Sequence, residues 1–166
     1  MSEMIEVSKD GHVLEVRLNK PKVNAIDHEM SRALGEAFRQ LRDDDDLRVG
    51  IIPAAGERIF SAGWDLKSLD SGDARLDEWW DDGDYGEGGF AGLTENWSLN
   101  KPVIGALNGL VIGGGFEIAL ASRGWFRLSR SGWSKNWNQH DSNNWNLNDS
   151  SIFLVMLVLM GGSWMP

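Results

Sequence analysis

Strands and helices alternate along this chain, and three stretches predict that mixed architecture. Val13-Leu14-Glu15-Val16-Arg17-Leu18 alternates with the period of a half-buried strand. After Asp27, the apolar residues Met30, Ala33, Leu34, Ala37, Phe38 and Leu41 recur at helical spacing over residues 28–42. The apolar run 102–107 then leads into Gly113-Gly114-Gly115-Phe116-Glu117, which opens a second helix.

Taken in order, the strand at 13–18 ends in the turn Asn19-Lys20-Pro21-Lys22, and Asp27 is a suitable N-cap for the first helix. Residues 43–46 are four consecutive aspartates, a solvated loop that lacks the spaced ligands and glycine of a calcium loop. Residues 47–52 read as a short buried strand closed by Pro53. In Phe60-Ser61-Ala62-Gly63-Trp64-Asp65-Leu66 the small residues before Trp64 allow a ligand to approach the backbone, and the same stretch also fits an ordinary β-turn with an exposed Trp. Residues 69–89 are acidic and glycine-containing, a loop or lid. Its Trp79, Trp80 and Tyr85 would suit a cationic substrate head, or would pack on the body of the fold. Residues 89–95 lead into a short helix, and residues 101–109 form a buried strand running into the glycine turn.

Composition limits the function classes. A chain of 166 residues can bury one domain core. A net charge of −9 argues against nucleic acid as a partner. The absence of cysteine removes thiol nucleophiles and Cys-based metal sites. His12, His28 and His140 are scattered, so no metal is expected. The acidic N-terminus has no signal-peptide pattern, and the longest apolar run, residues 152–160, is too short to cross a bilayer. The expectation is a soluble, cytoplasmic chain with no membrane partner.

Composition also breaks near Ala121. Residues 1–121 carry 23 of the 25 acids, whereas residues 122–166 carry no Glu, five of the nine tryptophans and six asparagines. Two domains of sequence are therefore distinguished, 1–121 and an atypical Trp/Asn-rich tail 122–166. A change of reading frame near Ala121 accounts for the break, with a genuine Trp-rich binding segment as the alternative.

The glycines at 113–115 carry the chemistry. A helix start without side chains over it exposes N–H donors and the positive end of the helix dipole. Such a turn can bind an anion, or an oxygen that becomes negative during reaction. Glu117 places a carboxylate one turn further on. With the N–H of Trp64 as a second donor, two groups from separate segments could meet at one oxygen, as an oxyanion hole requires. A glycine hinge with a surface Glu is the plainer alternative.

The residues 60–66, Lys101-Pro102-Val103-Ile104, Asn108-Gly109 and Gly113-Gly114-Gly115-Phe116-Glu117 resemble the enoyl-CoA hydratase/isomerase (crotonase) superfamily over residues 5–121. Ser-Ala-Gly-Trp-Asp-Leu-Lys and Gly-Gly-Phe-Ala-Gly-Leu-Thr-Glu are most similar to its carnitinyl-CoA dehydratase branch. The resemblance implies an α/β fold of strand-strand-helix units wound into a superhelix, here without its C-terminal helices, which in the family serve trimer or dimer-of-trimers assembly. It implies an acyl-CoA thioester as substrate, coenzyme A being part of that substrate, and no separate cofactor. It implies an oxyanion hole from the N–H groups of Trp64 and Gly114, with Glu117 catalytic. It also implies CoA or substrate contacts from Lys22, Val23, Ala25, Ala62, Gly63, Asp65 and Leu66. The chain departs from the pattern at Pro53, where a small hydroxyl residue is usual, and at Gly105, where Ala is usual. The second catalytic glutamate would lie within 133–145, where no Glu stands. Two expectations follow. One is a lyase that adds or removes water across the α,β bond of an acyl-CoA through an enolate, the carnitinyl-CoA to crotonobetainyl-CoA step included. The other is a truncated or frame-shifted relative with little or no catalysis.

Overall fold

The alternation over residues 13–18 becomes a strand in which Leu14, Val16 and Leu18 are fully buried. The computed structural model describes residues 4–70 and 85–127. In chain order these form β1 (Ile5–Asp10), β2 (Val13–Leu18), β3 (Ala25–Ile26), α1 (His28–Asp43), β4 (Val49–Pro53), β5 (Ile59–Ser61), β6 (Gly63–Trp64) and α2 (Leu66–Asp70). A 3-10 turn at Phe90–Gly92 follows, then β7 (Val103–Leu107), β8 (Leu110–Val111), α3 (Gly114–Ala121) and β9 (Gly124–Arg127).

Five strands form one sheet in the order β1-β2-β4-β7-β9, and β3-β6 and β5-β8 are separate two-stranded pairs. β1 and β2 make an antiparallel hairpin, while β2-β4, β4-β7 and β7-β9 pair in parallel. Parallel neighbours need long crossovers, and α1 supplies the one between β2 and β4. Leu14 registers with Gly50 and Gly50 with Val103, so the buried positions of three strands form one row. Gly50 gives up its side chain to α1: a Cβ there would lie 2.8 Å from Cδ2 of Leu41. Met30, Leu34, Phe38 and Leu41 of α1 are all fully buried against this core, and Ile118 of α3 joins them.

The first helix occupies 28–43, one residue longer than its periodicity predicts, and Asp27 caps it by accepting from Met30 N at 2.8 Å. The apolar stripe omits two inward residues. Ser31 accepts from Ala91 N at 3.1 Å, and a Cβ on Gly92 would lie 2.2 Å from Gly35 N. α1 thus docks the 90–92 turn by backbone approach and one hydroxyl, neither of which has a hydrophobic period. The short helix expected after Gly89 is this three-residue 3-10 turn, because Ala91 stands at φ 55, outside helical backbone. The strand expected over 47–52 runs from Val49 and includes Pro53, which registers with Ala106. Of the aspartate run, Asp43 ends α1 and Asp44 caps it and pairs with Lys9 at 2.5 Å.

The sheet runs on through the composition break. Ser122 is buried and donates its hydroxyl to Ile118 O at 2.8 Å, and Arg123 N donates to Val103 O. β9 then pairs with β7 from Ile104↔Gly124 to Leu107↔Arg127. Trp79, Trp80 and the greater part of the 69–89 loop lie outside the described residues, as do residues 128–166 with the 133–145 stretch.

Candidate active site

Two chain segments meet because neither carries a side chain at the point of contact. Gly63 stands at φ +82, and a Cβ there would fall 2.4 Å from Gly114 N and 2.9 Å from Ile112 O. Gly115 is as confined, its Cβ position lying 2.6 Å from Ser61 O. The turn before Trp64 therefore rests directly on the start of α3. Ser61, fully buried, ties the contact together: its hydroxyl donates to Asn24 O at 2.8 Å and accepts from Gly63 N at 3.0 Å, and its carbonyl accepts from Ile112 N at 3.0 Å.

The α3 start has the character its glycines predict. Gly113 turns at φ 52 and no side chain caps the helix. Gly115 N donates to Ile112 O and Phe116 N to Gly113 O, so the turn closes behind Gly114. The first N–H of a helix has no intrahelical acceptor. Trp64 does not form the exposed tip of a simple turn. It lies in β6, pairs with Ile26, stacks on Phe90 at 4.4 Å and 18°, and meets the edge of Tyr85 at 5.3 Å. Tyr85 is buried beside His28, so of the three loop aromatics this one packs on the body.

The other expected site residues gather on the same side. Ala25 pairs with Gly63, and Ala62 N donates to Val23 O at 2.9 Å. Lys22 (φ 76) is exposed beside them, and Asn24 (φ 48) follows it. Left-handed backbone at two non-glycine residues is uncommon and is kept only where the surroundings hold it. Here Asn24 Nδ2 donates to Phe60 O at 2.9 Å in the buried interior. Asp65 is held by Lys20 Nζ at 2.9 Å, and Lys20 also reaches Asp27. The hydrogen bond from Lys20 lowers the Asp65 pKa. Burial works against the Lys20 charge, but the bonds to Asp27 and Asp65 outweigh it and raise its pKa. Leu66, next in line, is 72% exposed. Sequence reading passed over Asn24, Lys20, Ser61 and Phe90. Only Asn24 carries a local signal, as a residue type that tolerates left-handed backbone.

Glu117 lies one turn beyond Gly114 on α3. The residue is exposed at its helix surface. Its carboxyl is nonetheless desolvated enough to raise the pKa above the ordinary Glu value. A cavity of about 320 Å³ opens elsewhere, between Leu93, Trp97, Lys101, Ala121 and Arg123, and touches none of Trp64, Gly114 or Glu117. Among the described residues no three His, Asp or Glu side chains gather to hold a metal, and no helix is long and apolar enough to cross a membrane.

Comparison with known proteins gives a consistent lineage. The sequence profile of enoyl-CoA hydratase/isomerase matches residues 8–123. A carnitinyl-CoA dehydratase of Salmonella arizonae is 56% identical over 122 residues, covering 74% of this chain and 44% of that protein. The structure of a carnitinyl-CoA dehydratase from Mycobacterium avium superposes with a TM-score of 0.65 at 30% identity, over 78% of this chain and 48% of that one. An enoyl-CoA hydratase from Mycobacterium tuberculosis gives a TM-score of 0.63 at 31% identity, over 76% and 46%. The chain thus spans under half the length of the relatives it matches. On its profile match and its fold, it belongs to the enoyl-CoA hydratase/isomerase family.

Proposed function

We propose that the Gly63–Gly114 contact is half of an acyl-CoA site, in which the thioester oxygen is received by the N–H groups of Trp64 and Gly114. The observation that supports this reading is the 2.4 Å between a Gly63 Cβ position and Gly114 N, which sets the two donor segments in direct backbone contact. Donors fixed in advance stabilise charge as it develops, and losing one of them costs roughly 3 kcal/mol of transition-state stabilisation. Glu117, exposed with a raised pKa, is suited to take or give a proton at the carbon next to the thioester. The CoA moiety would lie along Lys22, Val23 and Ala25 on one side and Ala62, Asp65 and Leu66 on the other. Coenzyme A enters as part of the substrate, with no further cofactor.

The reaction class is hydration or dehydration across the α,β bond through a thioester enolate, and the carnitinyl-CoA dehydratases among the relatives favour a cationic acyl group. Full hydration needs a second group to hold the water. The enolate step needs only the oxyanion hole and one base. Deuterium uptake at C2 of a saturated acyl-CoA in D₂O is therefore the direct test. Uptake is expected in the wild-type chain, and Glu117→Gln is expected to lose about 100-fold. Equal uptake by both proteins would remove Glu117 from the mechanism. Incubation with crotonyl-CoA and crotonobetainyl-CoA, with mass detection of the hydrated products, tests the water-adding step and the acyl preference. Assembly into a trimer or dimer of trimers belongs to the same proposal and is read by sizing chromatography.

A further inference from the structure

One aromatic ring touches both residues assigned to the oxyanion hole. A Cβ on Gly114 would lie 2.6 Å from Cε1 and 2.6 Å from Cζ of Phe90, and 3.0 Å from Cδ1 of Trp64. The same Phe90 ring stacks on the Trp64 indole at 4.4 Å. Phe90 is only 5% exposed, and its own placement is fixed from the opposite side. Its carbonyl accepts from Thr94 N and Thr94 Oγ1, the next N–H donates to Ser31 of α1, and Gly92 rests on Gly35 of α1. A continuous line of contacts therefore runs from α1 through the 90–92 turn to the ring, and from the ring to β6 and α3.

We propose that Phe90 is a positioning residue for the oxyanion hole: its ring braces the Trp64 indole and the α3 start, and so fixes the separation of their two N–H groups. The proposal rests on the acyl-CoA reading above. Its physical basis is that donors work only when held within roughly 0.5 Å of the productive geometry. Trp64 and Gly114 belong to elements that share no sheet ladder, β6 pairing with β3. The direct contact at Gly63 sets how closely they approach. The ring, packed on both, restrains how they lean apart. This role differs from filling the core, since a core filler would be felt in stability and not at the thioester oxygen.

The experiment measures polarisation of the thioester directly, by infrared difference spectroscopy of butyryl-CoA labelled with ¹³C at the carbonyl and bound to the full chain. Wild type is expected to shift the carbonyl stretch below its free value. Phe90→Leu is expected to lose roughly half of that shift or more, while the Kd for butyryl-CoA rises by no more than about threefold. Phe38→Leu, which removes the same bulk from the α1 core, serves as the stability control and is expected to leave the shift intact. Phe90→Met replaces the Leu variant should that one not fold. In parallel, Gly114→Ala is made alone and with Phe90→Leu, and urea midpoints are compared. The Ala methyl is expected to cost less stability once the ring is gone, because the ring is what it meets. An unchanged shift in Phe90→Leu, or an equal loss in Phe38→Leu, overturns the positioning role while leaving the oxyanion hole standing. Additive urea effects overturn the bracing contact. No shift in wild type overturns the oxyanion hole itself and the role of Phe90 with it.

Discussion

The two longer helices among the described residues begin in opposite ways. α1 closes its N-terminus with its own residues: Asp27, in extended backbone, accepts from Met30 N, its carbonyl accepts from Ser31 N, and Glu29 sits in the first turn. α3 begins on a left-handed glycine, has no side-chain cap, and is surrounded by other backbone and by two rings. A capped start satisfies donors and contributes stability. The glycine start of α3 forgoes that contribution. With Gly115 N and Phe116 N bonded to Ile112 O and Gly113 O, the Gly114 N–H is the donor the proposal offers to an oxygen from elsewhere. On the proposed function, the difference separates a helix placed for packing from one placed for chemistry, although both carry buried residues into the same core.

The largest effect is expected where the uncapped start meets β6. Gly63→Ala puts a methyl at left-handed backbone and 2.4 Å from Gly114 N, a backbone atom rather than the far end of a flexible side chain. A loss of about 3 kcal/mol or more is expected in urea unfolding. Gly113→Ala is the comparison. Its φ of +52 is also left-handed, but the nearest atom to the new methyl is 3.7 Å away. It should cost less, about 1–3 kcal/mol, the backbone cost alone. Equal losses at the two positions would mean that the close approach at Gly63 carries no special weight.

That same contrast explains what could be read in advance. β2 and α1 announce themselves through period, because one side of each faces the core: Leu14, Val16 and Leu18, then Met30, Leu34, Phe38 and Leu41. The Asp27 cap is local chemistry within four residues and was equally legible. The glycines at 113–115 marked a backbone approach, and the 60–66 stretch was paired with them, but not the residue that makes the contact. Gly63 is fifty residues away, and only the fold brings it there. Ser31, Gly35 and Phe90 were missed for a related reason. A hydroxyl to one N–H, a glycine against a glycine and a ring against a Cα each occur once, and a single contact has no period to detect. β1 was missed differently: five of its six residues are exposed, so its pattern never contrasts with solvent.

The capped start gives the next effect. Asp27→Ala removes both the cap and one partner of Lys20, and is expected to cost about 1–2 kcal/mol. Asp27→Asn keeps an oxygen for Met30 N and gives up the charge, so it should retain more than half of that. A full loss in the Asn variant would assign the effect to the ion pair rather than to capping.

Acid should then weaken the Lys20–Asp65 link, which joins the turn before β3 to the residue after β6. The Asp65 pKa is lowered in the fold by its bond from Lys20. Its contribution is therefore present above the ordinary Asp value of about 3.9 and is lost as pH falls below it. Lys20, with its pKa raised, contributes fully below its ordinary value of about 10.4 and loses that contribution only above it. The link should thus hold from weakly acidic to weakly alkaline pH. Lys20→Met is expected to cost about 1 kcal/mol at pH 7 and less at pH 3, measured as urea midpoints. A cost that does not change between the two would show that the methylene stem, rather than the charge, is what matters.

The smallest effect on stability is expected at Glu117, and its sign is the reverse of all the others. Desolvation raises the Glu117 pKa, so the folded chain holds the proton more readily than the unfolded one. Its stability contribution is full below the ordinary Glu range and is lost as pH rises through the raised folded value. Once ionised, the carboxylate stands in a place that disfavours its charge, with the exposed side of the helix softening the cost. Glu117→Gln should therefore stabilise the chain by a few tenths of a kcal/mol at pH 7 and change little at pH 3, where Glu is as neutral as Gln. A residue that serves only the fold has no reason to be kept in the less stable form. A gain in stability joined to the loss of deuterium uptake would mark the uncapped helix as the one shaped by chemistry, whereas a stability loss at pH 7 would return Glu117 to an ordinary surface role.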